Sequence, residues 1–252
     1  MVLLGCAPLR VEFDALSGVP RFGGRVLPPV LQRTARDLRS VLLDVESGES
    51  DRVLYRVWRN VCRREDAHVF GLAGLEYDVT VLDSVFVKPE RNKTFGHYHS
   101  VAVDGLEYPE VYEVLFGEAL FLLQRHAAPQ AGEVTDVLVV EARPGDKVLV
   151  PPGWGHVSIN AGSCALVLAN LQAMQCSAEY ELFKRKRGAA YYCLEDGSFI
   201  PNKHYRRLPP LKRVKATQLK YHALLHSSNL YASFLEHPCF YGFLRDPERF
   251  NQ

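Results

Sequence analysis

An all-β core with an arm at each end is the fold class predicted by this 252-residue sequence, on three observations. Between about 71 and 205, short β-branched and aromatic runs alternate with Gly, Pro and Asp: Tyr77 to Val87, Glu110 to Leu123, Val137 to Glu141, Lys147 to Val150 and Cys164 to Leu171. In the first run Tyr77, Val79, Val81, Val85 and Val87 share one parity while Asp78, Thr80 and Ser84 take the other, as in a strand with two unlike faces. No helix-length segment separates the runs, which favours an antiparallel sandwich or barrel.

The flanks follow other patterns. Residues 1–70 mix Pro/Gly-rich stretches with one helical signal: Thr34 as cap, then Ala35 through Leu43 with Leu38, Val41 and Leu42 at helical spacing. Residues 206–252 lose the strand rhythm. Leu219 to Leu225 and Leu230 to Phe243, the latter interrupted by Pro238, predict a helical extension packed on the barrel or on a second subunit. His222 and His226 sit four apart without the glutamate of an HExxH motif, so packing is the expected role.

Composition narrows the function classes. Thirty Lys and Arg against 29 Asp and Glu give a formal charge of +1, which makes no general case for a polyanion or a membrane surface. The Lys184-Arg185-Lys186-Arg187 run and Arg206, Arg207, Lys212, Arg213 and Lys215 read as solvated faces near acidic residues, not as a nucleic-acid patch. No apolar run reaches membrane-spanning length, and MVLLGCAPLR is too short before Cys6 for a lipoprotein leader, so a cytoplasmic protein is expected. The six cysteines are scattered without a CxxC pair, as free thiols are.

The chemistry concentrates at three places. His97 and His99, at i and i+2 of a strand, point to one face and can reach one ion. Glu110 follows eleven residues on, with Glu107 and Glu113 as competing carboxylates. Glu113 has the wrong parity relative to Glu110 and Tyr112, and Glu107 falls in the expected loop. His156 closes the segment Gly145 to Asn160, where Pro151, Pro152 and Gly153 make a tight turn into its strand. Three neutral imidazoles and a carboxylate suit a borderline divalent ion: iron, manganese, zinc, nickel or cobalt.

These residues resemble the cupin superfamily. Its motif G-x5-P-x-G-x2-H-x3-N is matched at Gly145, Pro151, Gly153, His156 and Asn160, and its first motif at His97, His99, Glu110 and Gly117. Arg91 stands where a glycine is usual, and ten residues, not three or four, separate His99 from Glu110. Thr80, Lys93 to His99, Pro109 to Tyr112, Leu122 to Gln124, Pro151 to His156, Glu179-Tyr180, Gly188 to Tyr192 and Pro201-Asn202 are similar to the cupin-type glucose-6-phosphate isomerases of archaea and some bacteria. The segments Arg33 to Leu38 and Val69 to Leu72 fit the longer bacterial members.

The resemblance implies a single cupin barrel (a double-stranded β-helix or jelly roll) over 71–205, an arm over 1–70 and an extension over 206–252. It implies one divalent ion per subunit, iron(II) placed first, held by His97, His99, Glu110 and His156. The implied activity is interconversion of glucose 6-phosphate and fructose 6-phosphate by a homodimer. Glu110 is implied as ligand, as base, or as both in different states, and Tyr112 as a sugar contact. Thr80, Thr94 and the Gly96 backbone are implied at the phosphate, with Tyr180 as a further substrate contact. Strand parity sets Thr94 opposite to His97 unless Gly96 hosts a bulge. Gln172 departs from the archaeal pattern, where a tyrosine is expected. As alternatives, Thr80 and Thr94 are plain strand formers and the two tyrosines core side chains. Rival functions are isomerisation of another sugar phosphate such as mannose 6-phosphate, a non-catalytic sugar-binding cupin, or an iron-dependent dioxygenase.

Overall fold

The computed structural model describes the chain except residues 6–7, 15–16, 26, 28, 128–132, 220–228 and 252. Two sheets form the barrel walls. One has six strands in the order Lys147–Val150, Glu110–Phe116, Leu166–Ala173, Leu75–Leu82, Val53–Trp58 and Leu31–Thr34, every neighbouring pair antiparallel. The other has four, in the order Trp154–Asn160, Ala119–His126, Val134–Ala142 and Leu211–Lys215.

The six-stranded sheet is buried on both faces, and the alternation of its residues says what each face meets. In Leu75–Leu82, Tyr77, Val79 and Val81 enter an outer core, while Asp78 and Thr80 face the barrel interior. The outer core is built by the two ends of the chain. A small sheet of Val2–Gly5, Val11–Asp14 and Val19–Phe22 brings Phe13 to 5.6 Å from Phe116. The helix Leu230–Glu236 sets Phe234 at 4.6 Å from Phe70, and Tyr231 donates a 2.7 Å hydrogen bond to Asp66. Two aromatic side chains of this kind each bury 150–250 Å², so the ends of the chain form a sizeable second hydrophobic layer.

Three segments depart from the sequence-based expectation. The helix capped by Thr34, which makes a capping box with Asp37, stops at Leu38 and continues only as a 3-10 turn to Val41. Its continuation is intercepted by a buried ion pair. Lys93 Nζ donates to the Val41 carbonyl (2.9 Å), the Leu43 N–H donates to Glu90 Oε2 (2.6 Å), and Lys93 pairs with Glu90. Second, Leu31–Thr34 and Val53–Trp58 belong to the barrel sheet although they precede residue 71. Third, the segment expected as a helical extension opens with a strand, Leu211–Lys215, parallel to Val134–Ala142, before its helices begin. Its basic side chains mark it as a charged edge strand: Lys212 pairs with Asp136 (3.4 Å) and Arg213 with Glu141. The helix expected over Leu219 to Leu225, with His222 and His226, lies outside the described residues. Beyond it, Pro238 ends the α-helix and starts a 3-10 segment to Leu244, in line with the interruption anticipated there.

Candidate metal centre and substrate cavity

The strand Trp154–Asn160 receives residues 93–97 along its open edge. Lys93 pairs with Ile159 but His97 with His156, so the register slips by one residue between them. The slip is a bulge centred on Gly96, whose φ is +81°. It reverses the parity of what precedes it, and Thr94 therefore lines the same cavity as His97. Glycine is required there twice over. A Cβ would lie 2.6 Å from Val157 Cγ2 and 2.7 Å from the Phe183 ring, at a backbone conformation that L-residues disfavour. Gly96→Ala is expected to cost roughly 2–6 kcal/mol, strain and overpacking together, measured as a shift in the urea midpoint.

His97 and His156 exchange both backbone hydrogen bonds (3.2 and 3.0 Å), which places their rings side by side at 4.4 Å. Tyr98 turns to the other side, where it accepts from Gln124 (2.9 Å) and packs on Gly155, a position whose Cβ would stand 2.8 Å from the tyrosine ring. His99 thus returns to the His97 face. Glu110 enters from the facing sheet. One ligand atom from each of His97, His99, Glu110 and His156 falls within 4.8 Å of all the others.

The donor chemistry fits a divalent cation. His99 Nδ1 lies 2.7 Å from the Tyr108 carbonyl, an acceptor, so that nitrogen carries the proton and Nε2 presents a lone pair. This Nε2 stands 3.2 Å from Glu110 Oε2, and both atoms are buried without a hydrogen-bond partner. His156 Nε2 is 3.3 Å from the same oxygen and 2.9 Å from the Tyr112 hydroxyl. Burial holds the pKa of His97 and His156 well below the usual imidazole value, helped by their neighbouring imidazoles, so both are neutral at pH 7, the form a metal requires. Burial also lowers that of His99, but the close approach of the Glu110 carboxylate and its charge outweigh it and raise the pKa. The competing carboxylates are engaged elsewhere: Glu107 pairs with His126 at 2.7 Å, and Glu113 accepts from the Leu230 N–H at 2.7 Å on the outer side.

Beside the cluster lies a cavity of about 70 Å³ lined by His97, Glu110 and all five residues expected to contact substrate: Thr80, Thr94, Gly96, Tyr112 and Tyr180. His99 instead borders a larger cleft of about 540 Å³ on its other side, with Glu107, His126 and Arg185. Thr94 Oγ1 accepts from the Ser158 N–H (3.0 Å), which leaves its proton free to donate into the cavity. Tyr180 stands edge-on to Phe95 and 5.6 Å from the His97 ring.

Four polar lining residues were not singled out as sites from the sequence: Tyr55, Arg59, Asp78 and Asn170. Gln172 also lines the cavity. Arg59 is the one Lys or Arg lining it among the described residues, and it is neutralised by Glu76 and Asp78, each at 3.1 Å. Burial, aided by Glu76 and opposed by Arg59, raises the Asp78 pKa to about 7. Folded Asp78 therefore keeps its proton to a higher pH than the unfolded residue, which loses it near pH 4. Across that interval the folded state binds more protons, and stability falls as pH rises. The urea midpoint of chelator-treated protein is expected to drop between pH 5 and 8, and Asp78→Asn to reduce that drop.

A β-barrel whose interior gathers three histidines and a glutamate from these motifs is a cupin. The chain belongs, more narrowly, to the glucose-6-phosphate isomerase family, whose model matches residues 32–209. It is 27% identical over 198 residues to the glucose-6-phosphate isomerase of Thermococcus onnurineus (strain NA1), covering 77% of this chain and 93% of that one. The enzyme of Thermococcus litoralis is 28% identical over the same shares. Overlap with solved structures is looser: hazelnut (Corylus avellana) vicilin covers 50% of this chain and 32% of its own at 16% identity and a TM-score of 0.36, so the fold assignment rests on strand order and motifs. Among the described residues no helix is long and apolar enough to cross a membrane.

Proposed function

We propose that this protein interconverts glucose 6-phosphate and fructose 6-phosphate at the cavity beside the His97, His99, Glu110 and His156 cluster. The observation that carries this reading is that the four donors cluster together and two of them, His97 and Glu110, line the same cavity as Thr80, Thr94, Gly96, Tyr112 and Tyr180, within a chain of the glucose-6-phosphate isomerase family.

The four donors would hold one divalent ion per chain, iron(II) first among the candidates, and such an ion supplies charge stabilisation for a polarised sugar carbonyl without a redox step. The chain's own residues are assigned the rest. Glu110, the carboxylate that faces both the cluster and the cavity, takes the proton from one of C1 and C2 and returns it to the other, while the hydroxyl proton passes between O1 and O2 in the same direction. The Tyr112 hydroxyl, whose pKa burial and Glu110 push well above the usual phenol value, stays protonated and holds the neighbouring oxygen. Thr80, Thr94 and the Gly96 backbone hold the phosphate through uncharged donors. Admitting a hexose phosphate into about 70 Å³ requires the rim to part, at the exposed Arg59 and the half-buried Tyr180. A homodimer in the cytoplasm completes the reading.

A coupled assay tests the reaction. Metal-loaded protein kept anaerobic should convert fructose 6-phosphate to glucose 6-phosphate faster than it converts mannose 6-phosphate. No turnover of fructose 6-phosphate by folded, loaded protein would reject the assignment. Oxygen consumption would favour the dioxygenase rival.

A further inference from the structure

The register of the six-stranded sheet lays polar residues across its inner face in rows. Tyr112 lies opposite Asn170, and Asn170 opposite Asp78. One pleat further, Gln172 lies opposite Glu76. Asp78, Asn170 and Gln172 are 2%, 4% and 6% exposed, and all three line the cavity. Asp78 is the anchor: Oδ1 accepts from the Asn60 N–H (2.8 Å), and Oδ2 accepts from Arg59 Nη1 (3.1 Å) and Gln172 Nε2 (3.3 Å). Gln172 Nε2 also donates to Glu76 Oε1 at 2.8 Å.

Asn170 differs from these neighbours. Its side-chain amide makes no hydrogen bond to any described residue, although it is almost wholly buried. Buried amides are normally satisfied, and this one brings both a donor pair and an acceptor to the cavity. That combination suits an alcohol, which donates and accepts at one oxygen. A phosphate would use the donors alone and would sit beside the carboxylates of Glu76, Asp78 and Glu110.

We infer that Asn170, steadied beside Asp78 and Gln172, recognises a hydroxyl in the middle of an open-chain hexose phosphate. It would lie between Glu110 at the reacting carbons and Thr80 and Thr94 at the phosphate, an order that rests on the isomerase function proposed above. Asn170 thereby selects for a hydroxylated chain, while the threonines hold the anion.

Calorimetric binding separates the two ends of the cavity. Metal-loaded wild type, Asn170→Ala and Asn170→Ser are titrated with 6-phosphogluconate, an open-chain polyol phosphate, and with inorganic phosphate. Asn170→Ala should bind 6-phosphogluconate about 3- to 10-fold more weakly, as loss of one or two neutral hydrogen bonds implies. Asn170→Ser, which keeps a hydroxyl and disturbs the fold least, should fall between. Affinity for inorganic phosphate should be unchanged. Undiminished 6-phosphogluconate affinity in both variants, an equal loss for inorganic phosphate, or no 6-phosphogluconate binding by wild type would overturn the assignment. Binding is read without turnover. An inactive wild type whose variants still lose only 6-phosphogluconate would reject the isomerase and keep the hydroxyl contact, whereas an active wild type with unaltered variants would do the reverse.

Discussion

His156→Ala is expected to release the metal and to lower kcat/KM by more than about a hundredfold, since loss of even an outer partner of a metal ligand typically costs 10–100-fold. The side chain supplies one of four donors and also contacts the Tyr112 hydroxyl at 2.9 Å, so its removal strips both the ion's site and the orientation of Tyr112. The fold should survive. The two bonds between His97 and His156 are main-chain bonds and persist in an alanine variant. Metal per chain by atomic absorption, with circular dichroism as the folding control, checks the result. A folded, metal-free variant with wild-type turnover would remove the cluster from the reaction.

Glu110→Gln should lower kcat by about 10² to 10⁴, the usual contribution of a positioned acid or base. Glutamine keeps the shape and an oxygen but cannot take up the transferred proton. The nearby carboxylates among the described residues are engaged: Glu107 is held by His126, Glu113 points to Lys147 and Leu230 on the other face, and Asp78, in the same cavity, accepts from Asn60, Arg59 and Gln172. The variant also replaces an anionic oxygen donor of the cluster with a neutral amide, so metal affinity weakens and kcat must be measured at saturating metal. Product formed in D₂O gives a second readout. Proton transfer through Glu110 allows deuterium to enter at C1 or C2, whereas a direct hydride shift excludes it.

Much of the centre was legible because its spacing is local. His97 and His99 share a face by simple alternation, and the same alternation separates Glu110 from Glu113. Strand positions followed from the same signal: Lys147–Val150 falls where the apolar run sits, and Ala119–His126 begins just after Gly117. Thr94 was not legible in this way. Its side depends on a one-residue slip at Gly96, and only the pairing of Lys93 with Ile159 and of His97 with His156 reveals it.

Asn170 and Gln172 carry a visible signal, two polar residues of one parity in an otherwise apolar run. Their meaning comes from Asp78 and Tyr112 on neighbouring strands, and cross-strand register is not written in any single segment. The flanks were misread for a different reason. Leu31–Thr34 is short and mostly polar and Leu211–Lys215 is short and carries three cations, so neither shows the apolar alternation of a central strand. Both sit at sheet edges, where tertiary pairing overrides local propensity.

The central claim is that His97, His99, Glu110 and His156 hold one ion on which isomerisation depends. It is tested most directly by titrating chelator-stripped protein with manganese or iron(II) while recording bound metal and conversion of fructose 6-phosphate together. Activity should start near zero, rise in proportion to bound metal and level off at one ion per chain. Full activity in protein shown to contain no metal would contradict it.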